Sequence, residues 1–141
     1  ILQYHFFLPN NESFLRMHKP SKFGDDLSNV REDVVQVNAT KKKVRGFVQG
    51  RVVHGFRNTY PIFDKKNNYL GAMEVSFSSD SFQDDLNNIS NIHTHFIILK
   101  DIFDAKTWAR DDLVLKYMQS SDHNEYMLSL NKNHSKKRCI I

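Results

Sequence analysis

Two residues near the start of the chain, Arg16 and His18, have side chains suited to binding an anion. They lie two positions apart in a segment predicted to be a strand, so they share one face of it. The Arg16 guanidinium offers a planar fork of donors that fits a carboxylate, and the His18 imidazole adds a donor that titrates near neutrality. We therefore expect a small organic acid to bind there. A structural role stays open, in which Arg16 pairs with Asp25 or Asp26.

A second group of candidates lies in a predicted hairpin formed by residues 56–63 and 69–77. Matching the apolar faces of its two strands places Tyr60 opposite Met73 and Thr59 opposite Glu74. Arg57 then lies diagonal to Glu74 and within ion-pair reach, either to bind the anion or to be neutralised by that carboxylate. The apolar face, which includes Tyr60, is expected to pack against helices, so a core position for Tyr60 is the alternative to ligand contact.

Arg51 precedes this hairpin and has no evident partner in the sequence, so we also count it as a candidate. The complete set of predicted ligand-binding residues is Arg16, His18, Arg51, Arg57, Tyr60 and Glu74.

Catalytic and metal-binding patterns are weak in this sequence. His93 and His95 would share a strand face and could ligate zinc or nickel, but no carboxylate or thiolate close by in the sequence evidently completes a site. Cys139 lies in the tail without an evident histidine partner. No nucleophile-elbow, zinc-protease or haem-attachment motif occurs. We expect no enzyme activity, no metal and no cofactor; a small metal enzyme built on the two histidines is the open alternative.

Composition narrows the possible classes further. The 141 residues are 40% apolar, enough for a core in one globular domain, and the excess of 20 basic over 16 acidic residues is too small to predict nucleic-acid binding. No apolar run is long enough to cross a membrane, and a single cysteine excludes an internal disulfide. Because the chain opens with Ile1 rather than Met, we expect a piece of a longer protein.

The elements that must position these residues follow from apolar spacing and turn chemistry. Asp25 and Asp26 are interpreted as first-turn helix caps, followed by an apolar stripe at helical spacing. Gly46, Gly50 and Gly55 indicate bends in a strand. Ile102 is expected to continue a buried strand after a turn. The predicted order is hairpin 3–18, helix from 23–26 to 38–43, a glycine-bent strand, hairpin 56–77, a helix from 78–81, strand 95–99 and strand 126–130.

One long run and several shorter motifs carry a resemblance to a known family. The run is Ser13-Phe14-Leu15-Arg16-Met17-His18-Lys19-Pro20-Ser21-Lys22-Phe23-Gly24-Asp25-Asp26-Leu27. It is followed by Arg31, Val37-Asn38, Thr40-Lys41-Lys42, Gly46, Gly50-Arg51, Gly55-Phe56-Arg57, Pro61-Ile62-Phe63 and Tyr69-Leu70-Gly71-Ala72-Met73-Glu74. Over about residues 3–78 the chain resembles the Cache-type sensor domains of bacterial chemoreceptors, histidine kinases and diguanylate cyclases, close to the double-Cache subfamily.

The resemblance implies an α+β fold, a PAS-like antiparallel sheet of about five strands flanked by helices. It implies a sensor domain at 3–104, with 105–131 an extension or the start of a second module and 132–141 a basic flexible tail. The implied function is periplasmic sensing of a small ligand for a chemotaxis receptor or a sensor kinase, as a homodimer joined to the membrane by flanking helices. The alternative is a ligand-free dimerisation or docking module for a periplasmic binding protein.

Overall fold

The chain forms two compact units in the computed structural model, which describes residues 3–48, 55–90, 94–104 and 117–129. The N-terminal unit contains residues 3–48 and 55–77, and the C-terminal unit contains residues 78–90, 94–104 and 117–129. None of the helices in these ranges has the length and apolar character that a bilayer-spanning segment requires.

A five-stranded sheet is the centre of the N-terminal unit and confirms the predicted α+β class. Its spatial order is β2-β1-β5-β4-β3, with β1 antiparallel to both β2 and β5, and β3 antiparallel to β4. Both predicted hairpins are present, because sequence neighbours pair through short polar turns. The strands are β1 (Gln3–Phe7), β2 (Ser13–Arg16), β3 (Val44–Val48), β4 (Gly55–Phe63) and β5 (Tyr69–Ser78).

The approach of β1 to β5 is close enough to require glycine at one position. Gly71 has φ +136°, and a Cβ added there would lie 2.1 Å from the carbonyl oxygen of Phe7. Any side chain at this position would collide with the backbone of the neighbouring strand.

Helix α1 (Glu32–Thr40) begins later than the sequence predicts, and the expected caps at Asp25 and Asp26 are wrong. The Asp26 carboxylate instead accepts hydrogen bonds from the Ser28 backbone N–H (2.9 Å) and hydroxyl (2.7 Å), closing a local turn. The Asp25 carboxylate is bound by Arg16. Both acidic groups therefore have partners that compete with helix capping.

Residues 17–26 form a loop that folds back along β2, and we call it the β2 loop. The Ser13 N–H donates to the carbonyl of Asp25 (3.0 Å), and the Gly24 N–H donates to the carbonyl of Ser13 (2.7 Å). Gly24 has φ +81°, a conformation that favours glycine. The loop thereby pairs with the outer edge of β2, which would otherwise present unpaired backbone groups.

The face of the sheet that α1 covers differs from the predicted one. Glu74 on this face is buried, and the core that α1 forms with the sheet includes Phe7, Leu27, Val34, Val37 and Ala72. Met73 belongs to the opposite face, where Tyr60 is 41% exposed, so the predicted core position of Tyr60 is wrong. The prediction failed because alternation separates the two faces of a strand but does not say which one a helix covers.

The C-terminal unit contains a second, three-stranded antiparallel sheet in the order β6-β8-β7. The predicted helix after residue 78 and the predicted strands near residues 97 and 126 are confirmed. Ile102 lies in a short helix, so its expected place in a continued strand is wrong. The elements are α2 (Ser79–Ser90), β6 (Ile97–Leu99), α3 (Lys100–Asp104), β7 (Tyr117–Gln119) and β8 (Tyr126–Ser129).

Candidate functional site

Five polar residues from four segments meet on the covered face of the N-terminal sheet, and we call them the ionic cluster: Arg31, Asp33, Arg57, Thr59 and Glu74. Arg31 donates two hydrogen bonds, of 2.9 and 2.8 Å, to the Asp33 carboxylate and also donates to the Glu74 carboxylate. Arg57 donates to the other Glu74 oxygen at 2.7 Å, which confirms the ion pair predicted from the sequence. The Thr59 hydroxyl donates to Asp33 at 2.9 Å. Glu74 therefore bridges two arginines.

The charges of the ionic cluster compensate one another. Burial acts to raise the pKa of Glu74, but the charges of Arg31 and Arg57 outweigh it and hold that pKa below its usual value. Burial also acts to raise the pKa of Asp33, but the hydrogen bonds and the charge of Arg31 outweigh it and lower that pKa below its usual value. Burial and the charge of Arg31 lower the pKa of Arg57. Two cations thus face two carboxylates, and an anion arriving here would have to displace one of them.

His5 lies beside this cluster and is neutral. Its Nε2 is 2.8 Å from the Ser13 hydroxyl, and its ring centroid is 4.0 Å from that of Phe7. Burial, reinforced by the charges of Arg16 and Arg31, lowers the pKa of His5 to about 3. At neutral pH the imidazole is therefore uncharged, and it can contribute hydrogen bonds but no positive charge to the binding of an anion.

Arg16 makes the second charged arrangement, which we call the loop latch. Its two terminal nitrogens each donate to one oxygen of Asp25 at 2.7 Å, and one of them also donates to the carbonyl of Lys22 at 2.7 Å. The Arg16 hydrogen bonds lower the pKa of Asp25 against the effect of burial. The latch joins the end of β2 to the β2 loop, the structural pairing that the sequence left open as the alternative.

The remaining predicted site residues do not join Arg16 at the latch. β2 ends at Arg16, so the strand alternation that would have placed His18 on the same face does not continue, and His18 is exposed. Burial and the Arg16 charge lower the pKa of His18. Tyr60 lies on the face of the sheet opposite to the ionic cluster. Arg51 lies outside the described residues.

The metal hypothesis gains no support from the described part of the chain. Of the two histidines in this hypothesis, His93 lies outside the described residues, as does Cys139, which was considered only as a nucleophile. No group of three or more histidine, cysteine or acidic side chains is placed to hold a metal ion among the residues that the structure does describe. The four-residue coordination that structural zinc prefers is therefore not found in these ranges.

A cavity of about 320 Å³ opens between β2 and the β2 loop, and we call it the β2 groove. It is mostly apolar and contains one ionisable side chain. The loop latch holds the loop wall of this groove, because Arg16 fixes Lys22 and Asp25 on either side of Phe23. The lining residues are Glu12, Ser13, Phe14, Leu15, Pro20 and Phe23.

Comparison with protein-family models identifies the family to which the chain belongs. A family model, dCache_3, described as the double sensory domain of two-component sensor kinase, matches residues 1–136. The chain belongs to the dCache_3 family. The predicted Cache resemblance is confirmed, and it extends beyond the expected residues 3–78. No curated protein matches the chain.

A solved structure shares the fold of this dCache_3 chain. It is described as "Extracellular ligand binding receptor from Desulfohalobium retbaense DSM5692", with a TM-score of 0.54 and 15% sequence identity. The alignment covers 89% of this chain and 26% of that receptor, so the chain spans about a quarter of the receptor's length. At this level of identity the similarity concerns the fold.

Three residues in or beside the ionic cluster were missed by sequence reasoning: His5, Arg31 and Asp33. The alternation of β1 puts His5 on the same face as Phe7, which was a usable signal for burial. Arg31 is one of the residues that carry the family resemblance, but no local pattern links it to Glu74, 43 positions away. The contact depends on how α1 packs on the sheet.

Proposed function

We propose that this chain is the extracytoplasmic part of a bacterial transmembrane receptor and that it senses a small organic anion. Its membership of a family of sensory domains supports the sensing role. The family description favours a sensor kinase over a chemotaxis receptor as the output. The fold shared with an extracellular ligand-binding receptor supports the extracytoplasmic location.

The observation that carries the choice of ligand is the bidentate grip of Arg16 on Asp25. Two hydrogen bonds of 2.7 Å to one carboxylate are the geometry by which a guanidinium recognises carboxylate ligands. The Asp25 side chain is 37% exposed, so solvent reaches the carboxylate that occupies this position. In our proposal Asp25 is an internal substitute for the ligand, and a ligand carboxylate takes its place on Arg16.

Exchange at Arg16 provides a way to transmit the signal. When a ligand replaces Asp25, the β2 loop loses its bidentate attachment and can shift along the outer edge of β2. A ligand biases the signalling state only by the difference between its affinities for the two arrangements, typically about 1 to 3 kcal/mol. His18, which follows β2, is the nearest candidate in sequence for a second contact to the anion.

The other predicted binding residues take supporting roles in this proposal. Arg57 and Glu74 neutralise each other, so they hold the sheet face in place. Tyr60 lies on the opposite face and is left out of the anion site. Arg51 remains a candidate for a further contact.

Two substitutions with opposite expected effects test the proposal. Titration calorimetry of the 141-residue domain with acetate, succinate and citrate identifies the tightest carboxylate. Asp25→Asn should tighten its binding by about threefold or more, because the neutral amide competes poorly for Arg16. Arg16→Gln should weaken binding tenfold or more, because a charge-assisted bond to a carboxylate is lost. Asp26→Asn, one position along the loop, is the matched control and should leave the affinity unchanged.

The outcome that contradicts the proposal is a carboxylate affinity that neither Arg16→Gln nor Asp25→Asn alters. Binding of none of the three acids, with a flat thermal-shift screen, contradicts it equally. A true ligand at 100 times its dissociation constant should add about 2.7 kcal/mol to the free energy of unfolding.

A docking role is the second candidate, favoured by exposed apolar side chains on one part of the N-terminal unit. Phe14, Met17 and Phe23 are all more than half exposed, and exposed apolar surface of this kind can mark a protein interface. In this alternative the domain forms a homodimer or binds a periplasmic protein without a small ligand. Sedimentation that depends on protein concentration, together with a flat ligand screen, would favour it.

A further inference from the structure

The β2 groove has an unusual combination of exposed aromatic rings and a single acidic group. Phe14 is 60% exposed and Phe23 is 69% exposed, so most of the surface of each side chain is open to solvent. Leu15 and Pro20 complete the apolar lining. Exposed aromatic faces of this kind attract cations as well as apolar groups, because the ring quadrupole is negative above the ring.

Glu12 is the ionisable residue in the lining of this groove. Its carboxylate accepts a long hydrogen bond of 3.4 Å from the Asn10 side chain. Its backbone is held firmly, because the Glu12 carbonyl accepts the Leu8 N–H at 2.9 Å and the Glu12 N–H donates to Asn10. A fixed backbone with a weakly engaged carboxylate leaves Glu12 able to meet a cationic group in the groove.

Hydrogen bonds hold both walls of the groove in place, so the groove is formed before any ligand binds. One wall is β2, which is paired with β1. The other wall is the β2 loop, which hydrogen bonds to both backbone groups of Ser13 and is held by the Arg16 latch. A volume of about 320 Å³ lies at the lower end of the range for small-molecule sites. Preformed walls lower the entropy that a ligand would lose on ordering its site.

We propose that the β2 groove binds a small apolar ammonium compound, such as an arylalkylamine. The ammonium group pairs with Glu12, and the apolar body packs against Phe14 and Phe23. This is a second site, separate from the proposed anion position on Arg16, and it shares the β2 loop with that position. The cationic and anionic ligands would therefore act on the same loop.

Two probes of equal ring size test the charge preference of the groove. The groove should bind 2-phenylethylammonium at least threefold more tightly than the neutral 2-phenylethanol. Binding is measured by titration calorimetry and by chemical-shift changes of the amides of residues 12–23. Equal or tighter binding of the alcohol would show that Glu12 and the rings do not select a cation and would overturn the proposal.

Substitutions locate the binding. Glu12→Gln should weaken 2-phenylethylammonium binding by about two- to fivefold without altering 2-phenylethanol binding, as expected for loss of an exposed ion pair. Phe23→Ala should weaken both ligands at least fivefold, and Phe14→Ala repeats the test if that variant does not fold. Glu125→Gln, an exposed glutamate in the C-terminal unit, is the matched control and should change neither affinity. Unchanged binding in both Glu12→Gln and a folded phenylalanine variant would exclude the groove.

The two proposed sites fail independently in these experiments. The anion site is tested with carboxylate ligands and with Arg16 and Asp25, whereas the groove is tested with ammonium ligands and with Glu12 and Phe23. Loss of carboxylate binding in Arg16→Gln with no ammonium binding in the wild type would remove the groove alone.

Discussion

Removing the charge of Glu74 is the most demanding test of the ionic cluster. Glu74 is 1% exposed and contacts both Arg31 and Arg57, so Glu74→Gln keeps the shape but leaves two buried guanidinium groups facing the single carboxylate of Asp33. Breaking a buried ion pair by neutralising one partner typically costs about 3 to 5 kcal/mol, because the remaining charge stays buried. We expect a loss in this range.

That loss would be a large part of the stability of an ordinary domain, which is about 5 to 15 kcal/mol. Urea unfolding monitored by far-ultraviolet circular dichroism should show an earlier midpoint with an unchanged slope. The matched control is Glu125→Gln, whose side chain is exposed, and it should change the free energy of unfolding by less than about 0.5 kcal/mol.

A double substitution separates the ion pairs from the packing. Arg57→Met combined with Glu74→Gln removes one cation and one anion charge, so it should be less destabilised than the sum of the two single variants. A loss below about 1 kcal/mol in Glu74→Gln, or strict additivity in the double variant, would refute the claim that mutual neutralisation is what lets these charges be buried.

Two further predictions concern the same sheet. Gly71→Ala should lower the free energy of unfolding in urea by about 1 to 3 kcal/mol or more, because Gly71 has φ +136° and the added Cβ would lie 2.1 Å from the Phe7 carbonyl oxygen. The control is Gly46→Ala, where an added Cβ meets nothing within 4 Å. Equal losses in the two variants would contradict the argument. The pKa of His5 falls from 6.5 in the unfolded chain to about 3 in the folded state, so the unfolded chain binds the extra proton and the free energy of unfolding should fall as the pH drops below about 6.5. Between pH 6.5 and 5, before most carboxylates titrate, His5→Gln should flatten this slope, and an unchanged slope would show that His5 is not buried as described.

Much of the fold could be predicted because its determinants are local. The alternation in β4 and β5 and the polar residues between them predict a hairpin, since the side-chain period of a strand is two and Asp64 can close the turn through its own carboxylate. The same alternation correctly predicted the Arg57–Glu74 pair. The Cache resemblance rested on many residues in order and spacing, and the family match confirms it.

The start of α1 illustrates a local signal that was overruled. Asp25 and Asp26 at the head of an apolar stripe have the chemistry of helix caps. The Asp25 carboxylate instead accepts two hydrogen bonds from Arg16, the last residue of β2. A helix that started at Asp25 would lose this bidentate pair. The chain therefore continues past the β2 loop as a turn at residues 28–30, and the helix begins at Glu32.

Sequence alone determined most of the strands, the two hairpins, the family and one ion pair, because each depends on neighbours along the chain or on an alternation that repeats within a strand. Only the tertiary structure decided which face of the sheet is buried. A polar face containing Glu74 and Thr59 is buried because Arg31 arrives with α1 and Arg57 lies on the adjacent strand, so that desolvation of each charge is offset by a partner from another element. Such a balance exists only once the elements have packed, and no single segment contains it.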